Sequence, residues 1–514
     1  MPGNRRAPGE QITGEGLNRP AVPSVQSAPR AGQHGRGGRA AARATRASAA
    51  RRLAWLTLPC LTVLVMAMAV PNARAAHAPG APESAGTTLE YVLIFGRHGV
   101  RSPVLEPKTL TKFASGEFPD FGVPPGYLTA HGRQAETLLG AFFRQYLLHE
   151  HLLTGNAAVD APRVYVRANS NQRSNRSASA FVAGLLPDTA VPIHSYPLGT
   201  PDGLFDPVGA GVVRVDTSRA VREVQGLVGS EGTSLARAFS SELALIRSVL
   251  FGYSRELIPA PVTPNGHVDP TGIPVTLTAS RTGQVTGNII DTGGLASTLY
   301  AADPFVMEYT DGMPMSQVGW GRLSADQLSE QTRIITGQIA IEMSPPYLNR
   351  LQSSNAAAHL LRSLEQAVTR QRVAGALGTR DTRIALINSS DAYVVGLAAL
   401  LQAHWLIPGY QPDYCPPGGS LVFELRRGSH DKRHIVRVYF TAQTFDQLRE
   451  LAPLDLANGP ASMQLLIPGT GQAETLDVDL GRFLRRLQAE IDFTAVSDPR
   501  KEKAPGELGG VPSE

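Results

Sequence analysis

The sequence predicts an α/β fold that is interrupted by a mostly helical insertion. Short apolar runs rich in branched and aromatic residues alternate with helical patterns towards both ends of the folded part, and helical spacing dominates between them. These patterns divide the 514 residues into five parts. The parts are a leader (1–75), a first α/β part (87–210), a helical part (211–375), a second α/β part (376–496) and a tail (497–514).

The first α/β part has a strand–helix–strand–helix pattern. The run Leu89–Phe95 (LEYVLIF) predicts a buried strand, and Thr129 is the predicted N-cap of a helix that extends to about Leu153. Arg163–Ala168 predicts a second strand, and Ser174–Leu186 predicts the helix that follows it. Alternation at this spacing is typical of parallel α/β units.

The helical part and the second α/β part are predicted from the same signals. Thr217–Leu257 is expected to be predominantly helical with a break near Gly229–Gly232, and a proline-rich irregular stretch follows at Pro259–Pro274. Further helices are expected at Ser324–Met343 and Ser354–Ala374. Parallel structure is expected to resume at Arg383–Asn388, with a helix through Ala392–His404. Two late strands joined through the polar segment Gly428–Arg433, and a short final helix, are expected at Leu421–Arg426, His434–Thr441 and Arg482–Ile491.

The leader accounts for the net positive charge of the chain. The formal net charge is +4, but residues 1–75 hold eleven Arg and two Glu, which leaves −5 on the remainder. This mildly acidic remainder gives no reason to expect a nucleic-acid partner. Only Cys60 and Cys415 are present, and Cys60 lies in the leader, so we expect no disulfide in the mature protein.

The leader predicts export. The apolar run Leu53–Val70 follows Arg51-Arg52 and precedes Ala73-Arg74-Ala75, which has the small-x-small form of a cleavage site. We interpret it as a secretory signal peptide; a membrane anchor and a twin-arginine signal are the alternatives. The mature protein is therefore expected to be periplasmic or secreted, without stable membrane association after cleavage.

The segment RHGVRSP (residues 97–103) is the sharpest feature of the sequence. It directly follows the first predicted strand, and ligands of open α/β sheets bind beyond the carboxyl ends of strands. Arg97 and Arg101 can grip phosphate oxygens in bidentate fashion. Their charges favour a neutral His98, the form that a nucleophile needs. The alternative interpretation is a basic surface loop with an incidental histidine.

Two other predicted strand ends supply matching residues. Gln172-Arg173-Ser174 follows the second strand, and Ser389-Ser390-Asp391 follows the strand at Arg383–Asn388. Because parallel strands present their carboxyl ends at one edge of the sheet, Arg173 can join a phosphate-binding cluster and Asp391 can face the nucleophile. A carboxylic acid suits that position because an alkoxide leaving group must be protonated. Asp391 as a simple helix N-cap is the alternative.

These residues resemble the histidine acid phosphatase family, branch 2 of the histidine phosphatase superfamily. RHGVRSP matches its RHGxRxP signature, and WLIPG, PPGG and VFE within residues 384–445 resemble bacterial periplasmic phytases and glucose-1-phosphatases, as do GMPM and WG within 312–321. The resemblance covers about Leu89 to Thr494. It implies a phosphoglycerate-mutase-like α/β lobe with a helical lobe, a phosphohistidine intermediate on His98, acid pH preference and no metal or other cofactor.

The resemblance also implies residue roles, with one departure. Arg97, Arg101 and Arg173 would bind phosphate, and Asp391 would be the acid, but Ser390 stands where the family has a histidine that helps to hold the phosphate. Loss of a charge-assisted hydrogen bond costs about 1.5–3 kcal/mol, so we expect a weakened or retuned enzyme. Asp311 falls where glucose-1-phosphatases have an acidic residue near the pocket mouth; a plain loop carboxylate is the alternative.

Three functions remain open at this point. The favoured one is an exported acid phosphomonoesterase that acts on small-molecule phosphate monoesters such as sugar or inositol phosphates. The second is a phosphate-ester binding protein that has lost turnover through Ser390. The third is a phosphotransferase or mutase, because a phosphohistidine can pass its group to any bound hydroxyl.

Overall fold

A computed structural model describes residues 86–253, 267–471, 475–499 and 505–508. The leader, its signal peptide and residues 259–266 of the proline-rich stretch lie outside the described residues, so the predictions made for them are not tested here. None of the described helices combines the length and the apolar character that crossing a membrane requires.

The strands form one large mixed sheet and one small hairpin. In the large sheet they follow the order β10-β8-β7-β1-β6-β2-β3-β11, with β9 on the outside of β8, and β4 pairs with β5 in the hairpin. Their bounds are β1 Thr87–Arg97, β2 Val164–Ala168, β3 Ile193–Ser195, β4 Val275–Ala279, β5 Ile290–Gly293, β6 Ile384–Ser389, β7 Ser420–Gly428, β8 His434–Ala442, β9 Ala461–Gln464, β10 Val478–Asp479 and β11 Gly506–Leu508.

The helices flank this sheet and form most of the middle of the chain. The α-helices of the described residues are α1 Pro107–Leu110, α2 Ala130–His149, α3 Ala157–Asp160, α4 Gln172–Leu185, α5 Thr217–Val228, α6 Gly232–Ala238, α7 Ser240–Phe251, α8 Gly283–Thr286, α9 Gly294–Thr310, α10 Ala325–Met343, α11 Pro346–Thr369, α12 Asp391–Leu401, α13 Phe445–Arg449 and α14 Leu480–Glu490. The predicted α/β fold with a mostly helical insertion is confirmed.

The centre of the sheet is parallel, as the sequence predicts. β6 lies between β1 and β2 and is parallel to both, and β2 is parallel to β3. The late strands differ, because β7 and β8 form an antiparallel hairpin and β7 pairs antiparallel with β1. The polar segment at 429–433 is too short for a crossover helix, which a parallel connection needs.

Strand β1 supplies the core with residues on both faces. Leu93 and Phe95 pack in the larger apolar cluster, which continues into the helical insertion, whereas Val92 and Ile94 pack in the cluster under α2 and α4. Alternate residues of a strand point to opposite faces, so a strand covered on both sides is apolar throughout. Helices α2 and α4 cross so closely that a Cβ at Gly140 would stand 2.0 Å from the carbonyl oxygen of Phe181.

Helix α9 and strand β11 are two of the elements that the sequence does not predict. Helix α9 contains Pro304 and begins at a Gly-Gly pair, both of which weaken a helical pattern. Strand β11 lies in the predicted tail and pairs antiparallel with β3 through only three residues, which is too short for period-two alternation to be recognised.

Candidate active site

The loops that follow β1, β2 and β6 lie side by side at one edge of the sheet. The register pairs Arg97 of β1 with Ser389 of β6, and Ala168 of β2 with Asn388 of β6. Beyond the strand end, the backbone N–H of His98 donates to the carbonyl of Ser389 at 2.9 Å. The parallel topology therefore brings together the three loops that carry the predicted site residues.

The loop after β1 is fixed from several sides. The N–H of Gly99 donates to Ser177 Oγ at 2.8 Å, and the N–H of Gly418 donates to the carbonyl of His98 at 3.1 Å. A Cβ at position 99 would stand 2.8 Å from Cγ of Glu136. Glycine is therefore required at this position because the loop lies directly against α2.

His98 is held in one tautomer and in its neutral form. Its Nδ1 lies 2.8 Å from the carbonyl oxygen of Gly99. Because a carbonyl only accepts, Nδ1 carries the proton and Nε2 keeps its lone pair. Burial, followed by the charges of the three nearby arginines, holds the pKa of His98 well below its usual range. Both effects favour the neutral imidazole that the sequence predicts, and burial is the larger of the two.

Arg97 and Arg101, which are buried, and Arg173, which is half-buried, lie around His98, and each has a donor without a partner among the described residues. Arg97 donates from Nη1 to the carbonyl of Cys415 at 2.5 Å, and Arg101 grips Asp303 through Nη1 and Nη2 at 2.8 and 3.1 Å. Arg173 donates weakly to the carbonyl of Gly126 at 3.4 Å. The Nε of each of the three is buried without a partner among the described residues. Buried unpaired donors call for a ligand, and three such cations suit an anion.

The electrostatics of Arg173 support the same conclusion. Burial, followed by the like charge of Arg101, lowers the pKa of Arg173 to about 10. A cluster of like charges in a site of low dielectric is unfavourable until an anion enters. The cluster is therefore suited to phosphate.

Asp391 is the first residue of α12, and its carboxylate lies 3.2 Å from Nη2 of Arg97. Its side chain is 21% exposed, so it is open to a ligand on one side. Ser390 precedes it as the N-cap of α12 but makes no capping hydrogen bond through its side chain. Asp391 lies one residue after the N-cap position, and its Oδ1 accepts from the N–H of Ala392 at 3.0 Å, so its carboxylate bonds to the first turn of α12 as well as to Arg97. The side chain of Ser390 makes no such bond to the helix.

Asp311 lies at the end of α9 and accepts a hydrogen bond from Thr129 Oγ1 at 2.5 Å. Thr129 also caps α2, because its Oγ1 accepts from the N–H of Gly132. The carboxylate of Asp311 therefore links the end of α9 to the start of α2. It does not line the cavity that contains Arg101 and Asp391.

That cavity has a volume of about 320 Å³ and extends from the arginine cluster into the helical insertion. Its wall includes four polar side chains that sequence reasoning missed, namely Tyr300, Asp303, Gln338 and Glu342. All four lie on α9 or α10, and most of the residues around them on these helices are apolar and buried. A polar residue on an otherwise apolar helical face was the signal that could have revealed them. Among the described residues, no group of three or more His, Cys, Asp and Glu could hold a metal ion.

The fold and this site define a branch-2 member of the histidine phosphatase superfamily, and the chain belongs to that family. The family model matches residues 88–224 and 337–441. The chain is a histidine acid phosphatase-type hydrolase, since its relatives are phosphatases of this kind.

The relatives are phytases and glucose-1-phosphatases. The chain is 26% identical to phytase AppA of Escherichia coli strain K12, over 77% of this chain and 89% of the relative. It is 25% identical to glucose-1-phosphatase of Salmonella typhimurium, over 80% of this chain and 94% of the relative. The solved Hafnia alvei phytase in complex with myo-inositol hexakis sulphate is 30% identical, with a TM-score of 0.70, over 80% of this chain and 100% of that one.

Proposed function

We propose that this chain hydrolyses small-molecule phosphate monoesters, such as sugar or inositol phosphates, at acid pH through a phosphohistidine on His98. The observation that carries the proposal is a buried neutral imidazole with a free Nε2, surrounded by three arginines whose Nε donors are unpaired. The similarity to a phytase and to glucose-1-phosphatases supports the same class of substrate. Trapping of an acid-labile phosphoenzyme during turnover tests the proposal.

Each step of the reaction has a residue suited to it. Arg97, Arg101 and Arg173 bind the phosphoryl oxygens, and Nε2 of His98 attacks phosphorus. The bond from phosphorus to the ester oxygen breaks, and Asp391 as the carboxylic acid gives its proton to that oxygen. In the second step the Asp391 carboxylate takes a proton from water, whose oxygen attacks the phosphohistidine. Phosphate leaves and both side chains regain their starting states.

The alternative function is a phosphate-ester binding protein with little turnover. The observation that favours it is Ser390, which supplies a neutral hydroxyl next to a phosphate-binding cluster where the family has a histidine. The nucleophile, the acid and three arginines are all in place, so we favour the enzyme. The third function from the sequence, phosphotransfer, uses the same intermediate and is distinguished by product analysis with an alcohol acceptor.

Ser390→His is expected to raise kcat/KM by several-fold at acid pH, and by about a hundredfold at most, because a protonated imidazole adds a charge-assisted hydrogen bond to the phosphoryl group. The gain should be lost as pH rises through the pKa of the new histidine. The arginines that lower the pKa of His98 will move that loss to lower pH. Rates on one alkyl and one aryl phosphate over the pH range from acid to neutral check this result.

Ser390→Gln is the matched control, since its amide adds a donor without charge and its effect should not depend on pH. Equal gains on both esters support a role on the phosphoryl oxygens. If the wild type and Ser390→His bind phosphate but turn over no ester, the binding-protein function replaces the enzyme.

We also propose that the protein is exported and that its leader is removed after Ala75. The apolar run Leu53–Val70 and the small residues Ala73 and Ala75 support this proposal. N-terminal sequencing of protein from the periplasm or the medium should begin at Ala76. Ala73→Leu with Ala75→Leu should block cleavage, because large side chains do not fit a signal-peptidase site. An intact leader on membrane-bound wild-type protein contradicts the proposal.

A further inference from the structure

The cavity beside Asp391 has a wall that is polar at one place and apolar over most of the rest. Glu342 and Gln338 on α10 face Tyr300 and Asp303 on α9 across it. The remaining wall is mainly aliphatic and includes Leu299, Ile335 and Ile339. Because Asp391 opens onto this cavity, the leaving alcohol of an ester bound at His98 lies within it.

A chain of hydrogen bonds fixes the orientation of Glu342. Thr292 Oγ1 donates to Gln338 Oε1 at 2.7 Å, and Gln338 Nε2 donates to Glu342 Oε1 at 2.6 Å. These two bonds hold the Gln338 amide between the hydroxyl of Thr292 and the carboxyl group of Glu342. None of the described residues donates to Glu342 Oε2. This second oxygen is therefore held at the cavity wall without a donor among the described residues, and it can accept a hydrogen bond from a hydroxyl group of a ligand.

The cavity has little positive charge outside the phosphate cluster. Among the described residues that line it, Arg101 is the only cation, and its guanidinium is already held by the Asp303 carboxylate through two hydrogen bonds. A second phosphate group on the leaving alcohol would therefore meet Glu342 and aliphatic side chains rather than a cation. Such a group would lose its hydration without a partner to replace it.

We propose that Glu342 is a specificity-determining residue that hydrogen-bonds the hydroxyl groups of the leaving alcohol. The substrate class that follows is a hydroxylated ester with one phosphate group, such as a sugar monophosphate, in preference to an inositol polyphosphate. This inference rests on the proposed function, because it places the leaving alcohol by reference to His98 and Asp391.

The charge state of Glu342 gives the proposal a pH signature. Burial, aided by the charge of Asp391, raises the pKa of Glu342 to about 7, and the hydrogen bond from Gln338 opposes the rise. The other charged or titratable groups that face it are Tyr300, Asp303 and Arg101. A carboxyl with a raised pKa is neutral below that value and charged above it. Repulsion of a second phosphate should therefore appear as pH rises through about 7.

The experiment measures binding and turnover separately. Dissociation constants are determined in a His98→Ala background, which does not turn over, for glucose 1-phosphate, phenyl phosphate and inositol hexakisphosphate. Glu342→Met should weaken binding of glucose 1-phosphate by about threefold to tenfold, the value of one hydrogen bond, and leave phenyl phosphate unchanged because it has no hydroxyl. Rates of the same esters with active protein complete the comparison.

The same measurements at two pH values isolate the effect of the negative charge on Glu342. Between pH 5 and pH 8 the preference for glucose 1-phosphate over inositol hexakisphosphate should increase by at least about tenfold with Glu342 present. Glu342→Gln keeps the shape without the charge and should abolish that increase. Glu308→Gln is the matched control, since burial raises the pKa of Glu308 to about 8 but its carboxyl accepts from the N–H of Gly319 outside the cavity.

The outcomes distinguish this inference from the proposed function. Absence of turnover of every ester overturns the proposed function, while the binding series still tests Glu342. Tighter binding of inositol hexakisphosphate than of glucose 1-phosphate at pH 8, or equal losses of both monophosphates in Glu342→Met, overturns the inference. The inference is also overturned if the protein prefers a polyphosphate and the double variant Arg133→Ala, Arg176→Ala loses that preference. That result would place the second phosphate in the separate cavity of about 280 Å³ that those two arginines line.

Discussion

His98→Ala should reduce kcat on every phosphate monoester to the background of the assay, a loss on the order of 10⁴ to 10⁶. The imidazole is a neutral nitrogen nucleophile that lies among three arginines, and its Nε2 keeps its lone pair because Nδ1 donates to the carbonyl of Gly99. The same change should abolish trapping of an acid-labile phosphoenzyme when labelled substrate is quenched during turnover. EDTA is present throughout, so that no contaminating metal supplies a second route.

The control for this experiment is a half-buried histidine that does not belong to the site. His131 lies in the first turn of α2, and its Nε2 is 2.7 Å from the carbonyl of Leu448. His131→Gln should retain phosphoenzyme trapping. Undiminished trapping in His98→Ala would show that the nucleophile lies elsewhere and would remove the basis of the proposed mechanism.

The loops of the site could be predicted because each follows a strand with a strong local pattern. The apolar run before Gly96 predicts β1, and the parallel alternation around it places residues 97–103, 172–174 and 389–391 at one edge of the sheet. The effect of Arg97 and Arg101 on His98 follows from their neighbouring positions in the chain. The larger effect of burial does not, because it depends on elements far away in sequence.

The wall of the cavity could not be predicted in the same way. Asp303 contacts Arg101 across 202 residues of sequence, and no local pattern encodes such a contact. The helix that carries Asp303 has a weak signature, since Pro304 lies inside it. Asp311, which the resemblance placed near the pocket mouth, hydrogen-bonds Thr129 instead of lining this cavity. The loops and helix faces around a site are therefore the part of the molecule that the sequence alone does not predict.

Asp391→Asn should lower kcat on alkyl phosphates by about 10² to 10⁴, because an amide cannot protonate an alkoxide. Aryl phosphates should lose much less, since a phenolate leaves without a proton. The change also removes the ion pair with Arg97, which lies 3.2 Å away, so some loss common to both esters is expected. The ratio of the alkyl loss to the aryl loss is therefore the measurement that reports protonation of the leaving group.

Asp303→Asn is the matched control for this ratio. Its carboxylate lines the same cavity but is bound to Arg101 through both oxygens, at 2.8 and 3.1 Å, so it positions a phosphate-binding residue. Its removal should slow alkyl and aryl esters by similar factors, because the phosphoryl group is common to both. Equal losses in Asp391→Asn as well would mean that Asp391 acts only by orienting Arg97. The acid would then be sought among the other carboxyl groups of the cavity, where Glu342, with a pKa raised to about 7, is protonated at the acid pH of the reaction.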